Sequence, residues 1–105
     1  MIIAATSQNR KTLTEHAGRC RKFWLYQVEN DAIVDRRLLE LSKEQSFHES
    51  SPHDPHPLDN VDVLISADMG AGLQQRLARH GIEAIIDHDS KDPDQAVQRY
   101  LQARR

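Results

Sequence analysis

Val61-Asp62-Val63-Leu64-Ile65-Ser66-Ala67-Asp68-Met69-Gly70-Ala71-Gly72 reads as a strand that runs into a sharp turn. Val61, Val63 and Ile65 share one face of a two-residue period and Leu64 makes the other partly apolar, the pattern of a strand covered on both sides. Gly70 and Gly72 mark the turn, and Leu73 and Leu77 follow at a spacing that puts both on one face of a short helix. His80 in the last turn and Gly81 just beyond it supply a stop, because helices commonly end on a left-handed residue that glycine adopts without strain. Ile82 to Ile86 is a last strand. Strand, helix and strand in that order make a crossover unit whose strands lie parallel in one sheet.

Working outward, Met1 to Thr6 is a short buried strand, and Ser7 to Arg21 lacks either period and reads as a long loop. Phe23, Leu25 and Gln27 alternate with Trp24, Tyr26 and Val28, which gives a strand with apolar groups on both faces. Asn30-Asp31 supplies turn chemistry, since both residues tolerate positive φ, so a hairpin returns the chain along Ala32 to Leu41. From residue 42 to 60 the composition shifts to serine, three prolines (Pro52, Pro55, Pro57) and three histidines, an irregular connection. Asp92-Pro93-Asp94-Gln95 combines a capping acid, proline at the first helical position and a capping-box glutamine. Ala96, Val97, Tyr100 and Leu101 then share one helix face. The expected architecture is α/β: a mixed five-stranded sheet with an opening antiparallel hairpin, later parallel strands, and helices on its faces.

The chain has 105 residues, room for one domain at the usual size of about 100 to 150 residues. Lys and Arg total 14 against 16 Asp and Glu, a net charge of -2 that leaves no basic field for a nucleic acid backbone. No stretch approaches the roughly 20 apolar residues that span a bilayer, so the expectation is a soluble cytoplasmic protein without a membrane partner. The single cysteine, Cys20, excludes an intrachain disulfide and cannot by itself make a structural zinc or iron-sulfur site. Any metal role needs histidine, a second chain or exogenous ligands.

Thr14-Glu15-His16-Ala17-Gly18-Arg19-Cys20 places an imidazole and a thiol four residues apart, donors that suit iron, copper or zinc, with Arg19, Arg21 and Lys22 beside them to stabilise a thiolate or an anionic cluster. On residue type alone, Cys20 reads more readily as a buried small hydrophobe and His16 as a hydrogen-bonded loop residue. His48, His53 and His56 are further candidate ligands, although a solvated linker is the plainer reading of their segment. Met69, Gly70 and Gly72 lie where a parallel strand ends and a helix begins, a place that receives anionic ligands in open α/β sheets; a tight turn explains the glycines equally well. Asp62, Asp68, Asp87 and Asp89 do not make a metal-dependent nuclease, because Ile2 to Ala5 carries no carboxylate where such a site wants one. No nucleophile-elbow sequence is present, and His16 with Cys20 has no recognisable orienting partner.

These residues, in this order, resemble the dinitrogenase iron-molybdenum cofactor biosynthesis family, of the NifX and NifB C-terminal type. The likeness covers nearly the whole chain. It rests on the opening strand, the His16 to Cys20 loop before Phe23-Trp24-Leu25-Tyr26, the run from Val61 into Met69-Gly70-Ala71-Gly72-Leu73, and the helix opened by Asp92-Pro93. It implies a ribonuclease-H-like three-layer fold without the catalytic acids, and a non-enzymatic role in binding and transferring iron-sulfur or iron-molybdenum cluster precursors among nitrogenase cofactor assembly proteins. His16 matches the histidine that precedes a glycine in the family's first loop, whereas Cys20 falls where some members have a small residue. Many members have a helix where residues 42–60 stand. A homodimer that supplies a second Cys20, and a metal-free interaction or regulatory module of the same fold, are compatible with the sequence.

Overall fold

The structure, a computed structural model, describes residues 1–104. Five strands form one sheet: β1 (Ile2–Thr6), β2 (Lys22–Glu29), β3 (Ala32–Glu40), β4 (Val63–Ser66) and β5 (Glu83–Ile86), in spatial order β3-β2-β1-β4-β5. β1 runs antiparallel to β2 and β2 to β3, while β1 with β4 and β4 with β5 are parallel. The helices are α1 (Ala71–Arg79), between β4 and β5, and α2 (Pro93–Ala103), after β5. The sheet is mixed because a tight hairpin can only reverse the chain, whereas the α1 crossover brings β5 back parallel.

Alternation along the strands separates two cores. Ala4, Phe23, Leu25 and Leu64 face Leu77 of α1, while Ile3, Ala5, Tyr26, Val63 and Ile65 face Ala96, Val97 and Leu101 of α2. One helix therefore lies on each face, which makes three layers. Asn30 and Asp31 have φ of 53° and 61°, the pair of positive values that a two-residue primed turn requires. Gly81 has φ of 72° after α1, and Ile82 N–H donates to Leu77 O at 2.9 Å across it. The Asp92 carboxylate caps α2 by accepting from Gln95 N–H at 2.8 Å; the Gln95 side chain reaches back one residue further than a capping box requires, to Lys91 N–H. Asp94, in the first turn of α2, accepts from Tyr26 Oη at 2.5 Å and from both-sided contacts of Arg36 Nη1 at 2.8 and 3.1 Å, which ties the helix to β2 and β3.

Residues 42–60 contain only a short 3₁₀ turn, Lys43–Gln45, yet they are not a solvated linker. Phe47, His56 and Leu58 are buried, and the first and last join the α1-side core. Arg76 of α1, itself only 8% exposed, donates to Phe47 O, Ser50 O, Ser50 Oγ and Ser51 O at 2.9 to 3.3 Å. Charged donors make the stronger hydrogen bonds, so this one side chain fastens an irregular segment that has no ladder of its own. The His56 ring stacks on Phe47 with centroids 4.4 Å apart.

Both His56 nitrogens are used: Nδ1 accepts from Leu58 N–H at 3.0 Å, which leaves Nε2 as the donor to Gln45 O at 2.6 Å. Burial disfavours the charged ring and nearby Arg76 adds to this, outweighing the Gln45 carbonyl, so the His56 pKa lies below its usual value. The folded chain then holds His56 neutral, while the unfolded chain takes up a proton as the pH falls through about 6.5. The stability that His56 contributes is complete above that pH, declines below it, and levels off under the depressed folded pKa. Denaturant melts from pH 7.5 to 5.0 should show a stability difference between wild type and His56→Gln that shrinks on acidification; a difference independent of pH would contradict this.

Candidate functional site

The site is built where the strand order reverses. β1 continues toward β2 on one side and β4 toward β5 on the other, so the C-terminal ends of these adjacent parallel strands are where open α/β sheets receive ligands. The loop of residues 7–21 crosses this end. Leu13 enters the α2-side core, and Ala17 and Cys20 enter the α1-side core, so the loop straddles the sheet. Thr14 sits at the crossing. Its carbonyl accepts from Thr6 Oγ1 at 2.7 Å and from Ala67 N–H at 3.1 Å, and its N–H donates to Thr6 O at 3.2 Å. Ser66 Oγ lies 3.1 Å from Thr6 Oγ1 and donates to Asp68 O at 2.8 Å, which positions the residues before α1. Thr6 and Ser66 are wholly buried.

Beyond this crossing the chain turns sharply. His16 adopts φ of 57°, a left-handed value that costs a residue with a Cβ free energy and that histidine tolerates better than most. Its carbonyl accepts from Arg19 N–H and Cys20 N–H at 2.9 and 3.0 Å, which locks the turn. The imidazole projects outward, 76% exposed, with Nε2 3.9 Å from the Glu15 carboxylate.

Cys20 goes the other way, so the thiol does not lie beside that imidazole, as the plainer reading of its residue type expects. The residue is 3% exposed, Sγ donates to Lys22 O at 3.0 Å, and burial raises the thiol pKa despite the backbone hydrogen bonds that lower it. As folded, Cys20 is a packing residue and not a ready thiolate. Met69 is likewise turned into the α1-side core, 5% exposed. Gly70 and Gly72 are exposed, and a Cβ built at either meets nothing within 4 Å, so they leave the approach to α1 open without being required by packing. Gly70 caps α1 with no side-chain hydrogen bond and no acid stands in the first turn, so the helix presents free N–H groups there.

The middle histidines part company. His48 N–H donates to Gly18 O at 2.7 Å, which brings this exposed residue against the first loop. His53 lies exposed in the 51–54 turn, and His56, with both nitrogens engaged, offers no lone pair to a metal as placed. Among the described residues, no three His, Cys, Asp or Glu side chains converge on one metal position. Arg19 is exposed beside His16. Two parts of the arrangement escaped the sequence reading: the Thr6, Thr14 and Ser66 crossing, whose only sequence signal is a hydroxyl residue ending each of two apolar strands, and Arg76, which reads as a surface cation.

A family model described as dinitrogenase iron-molybdenum cofactor matches residues 1–103. Among solved structures, the crystal structure of the protein PH0822 superposes with a TM-score of 0.72 at 12% identity, covering 98% of this chain and 90% of that one. A Methanocaldococcus jannaschii protein provisionally described as a dinitrogenase gives 0.71 at 12% identity, over 98% and 89% of the two chains. A Thermotoga protein provisionally described as NifB gives 0.68 at 16% identity, again over 98% and 89%. These likenesses speak to the fold. No curated protein sequence matches the chain.

Replacing Thr6 by valine keeps the shape and deletes the donor to Thr14 O. Loss of one buried hydrogen bond should lower stability by about 1 to 2 kcal/mol. Amide exchange should quicken from Thr14 to Cys20 while the Asn30-Asp31 hairpin is unchanged. Unaltered exchange in the loop would refute the clamp.

Proposed function

Because the chain belongs to the dinitrogenase iron-molybdenum cofactor family, we propose that residues 1–105 act as a single, non-catalytic domain that holds and passes on an iron-sulfur or iron-molybdenum cluster precursor during nitrogenase cofactor assembly. The observation that carries this reading is His16, an imidazole held outward by a left-handed turn at the switch point of the sheet. Imidazole is a good ligand for iron, and a carrier benefits from few ligands because it must release what it binds. Arg19 and the uncapped start of α1 at Gly70 to Gly72 would add positive potential for an anionic cargo, with Met69 buried in the core before that start. His48, tied to Gly18 of the His16 loop, is a further candidate donor, and His53 lies in an exposed turn of the same segment. Cys20 becomes a ligand only if the 16–20 turn opens, because its sulfur faces the core. Cargo is exchanged with other assembly proteins, in the cytoplasm.

That inward sulfur favours a second reading, a metal-free interaction module of the same fold. Anaerobic loading of the full chain with iron and sulfide, or with a purified cluster precursor, separates the two. The loaded protein should be brown. His16→Ala should weaken binding by at least the roughly tenfold that loss of a residue supporting a ligand costs, since here the ligand itself is lost. Cys20→Ala should have the smaller effect. If His16→Ala loads like wild type, the cargo site lies elsewhere. A colourless wild type, with partner capture that survives chelation, would favour the metal-free module.

A further inference from the structure

The irregular segment after β3 does more than fill space, for it forms an open pocket with the first loop. This pocket, of about 240 Å³, is lined by Arg19, Arg21, Lys43, Ser46, His48 and Glu49. Two main-chain hydrogen bonds hold its walls together: Leu41 N–H donates to Arg21 O, and His48 N–H to Gly18 O, each at 2.7 Å. Arg21 is further fixed by Nε, which donates to Leu41 O at 3.1 Å, and by its N–H, which donates to Gln8 Oε1 at 2.8 Å.

The gathering of cations is the notable feature. Arg19, Arg21 and Lys43 line the pocket together and, like most of the described lysines and arginines, make no ion pair among the described residues. Three permanent cations thus share one small pocket with a single acid, Glu49, in a chain whose overall charge is -2. Like charges gathered without partners repel one another, and an anion of matching size relieves that. The volume falls below the roughly 300 Å³ at which drug-sized ligand sites begin, which argues against a nucleotide. Guanidinium forks fit carboxylate and phosphate oxygens in pairs, and the lysine adds a point charge.

We infer that this pocket binds a small multivalent oxyanion, of the phosphate or polycarboxylate type. The inference goes beyond cluster carriage although the pocket shares Arg19 and His48 with the proposed cargo site; because its test uses the metal-free protein, its failure leaves metal ligation by His16 untouched.

The test is a nitrogen-proton NMR titration of the full, metal-free chain with inorganic phosphate and, separately, with citrate, at ionic strength held constant with chloride. At least one of the two anions should give saturable shifts at Gly18 to Arg21 and Lys43 to Glu49. Saturation by phosphate alone assigns the phosphate type, by citrate alone the polycarboxylate type, and by both the shared chemistry. Arg19→Gln and Lys43→Gln should each weaken binding about tenfold, the scale of one charge-assisted hydrogen bond. Arg79→Gln, an exposed cation on α1, should leave it unchanged. The two pocket variants change exposed side chains, and either one that retains the wild-type melting temperature answers the question. If neither anion saturates, or if the pocket variants bind as wild type does, the inference is overturned.

Discussion

One carbonyl oxygen, that of Thr14, decides the shape of the working end of this molecule. It accepts a hydroxyl from the end of β1 and a main-chain N–H from the end of β4, so the loop is stitched to two neighbouring parallel strands at once. Buried hydroxyls that lose an acceptor cost more than the bond is worth when made, and Thr6 is wholly buried. The loop therefore has one path available although it has no helix or strand of its own. Leu13 is committed to one core and Ala17 with Cys20 to the other, and the chain between them must turn tightly outside the sheet. That turn is what throws His16 into solvent with a left-handed backbone.

The second constraint lies in the segment between β3 and β4. This segment carries three prolines, and proline removes the N–H donors that a helix would use. Order comes instead from α1, through the Arg76 guanidinium on three main-chain carbonyls, and from the neutral His56 ring stacked on Phe47. Because this packing fastens residues 47–51 to α1, His48 meets Gly18 and the basic pocket acquires its far wall. The irregular segment thus reaches the neighbourhood of the site itself.

Much of this fold could be read from local chemistry. Asn30-Asp31, Gly81 and Asp92-Pro93 act within a few residues of themselves, and each takes the conformation that its side chain or its lack of one dictates. Strand periodicity located the sheet, although β4 begins at Val63 and not Val61, because Asp62 turns its carboxylate to Ile2 N–H. The site was less legible, since His16 and Cys20 lie four residues apart and either could face out. Their orientations are decided by which core Ala17 and Cys20 join, a matter of tertiary packing and not of spacing. The same holds for the middle histidines: nothing local distinguishes His48 from His56, yet one is exposed and the other is held by both ring nitrogens.

If the account is right, the outward imidazole is the group that touches metal. The most direct measurement is pulsed electron paramagnetic resonance on cluster-loaded protein prepared with nitrogen-15 in its histidine rings, compared with His16→Gln prepared in the same way. The expected result is a nitrogen-15 coupling to the cluster in the wild type that disappears in the variant. A coupling that persists in His16→Gln, or a loaded wild type with no histidine nitrogen coupling at all, would contradict it.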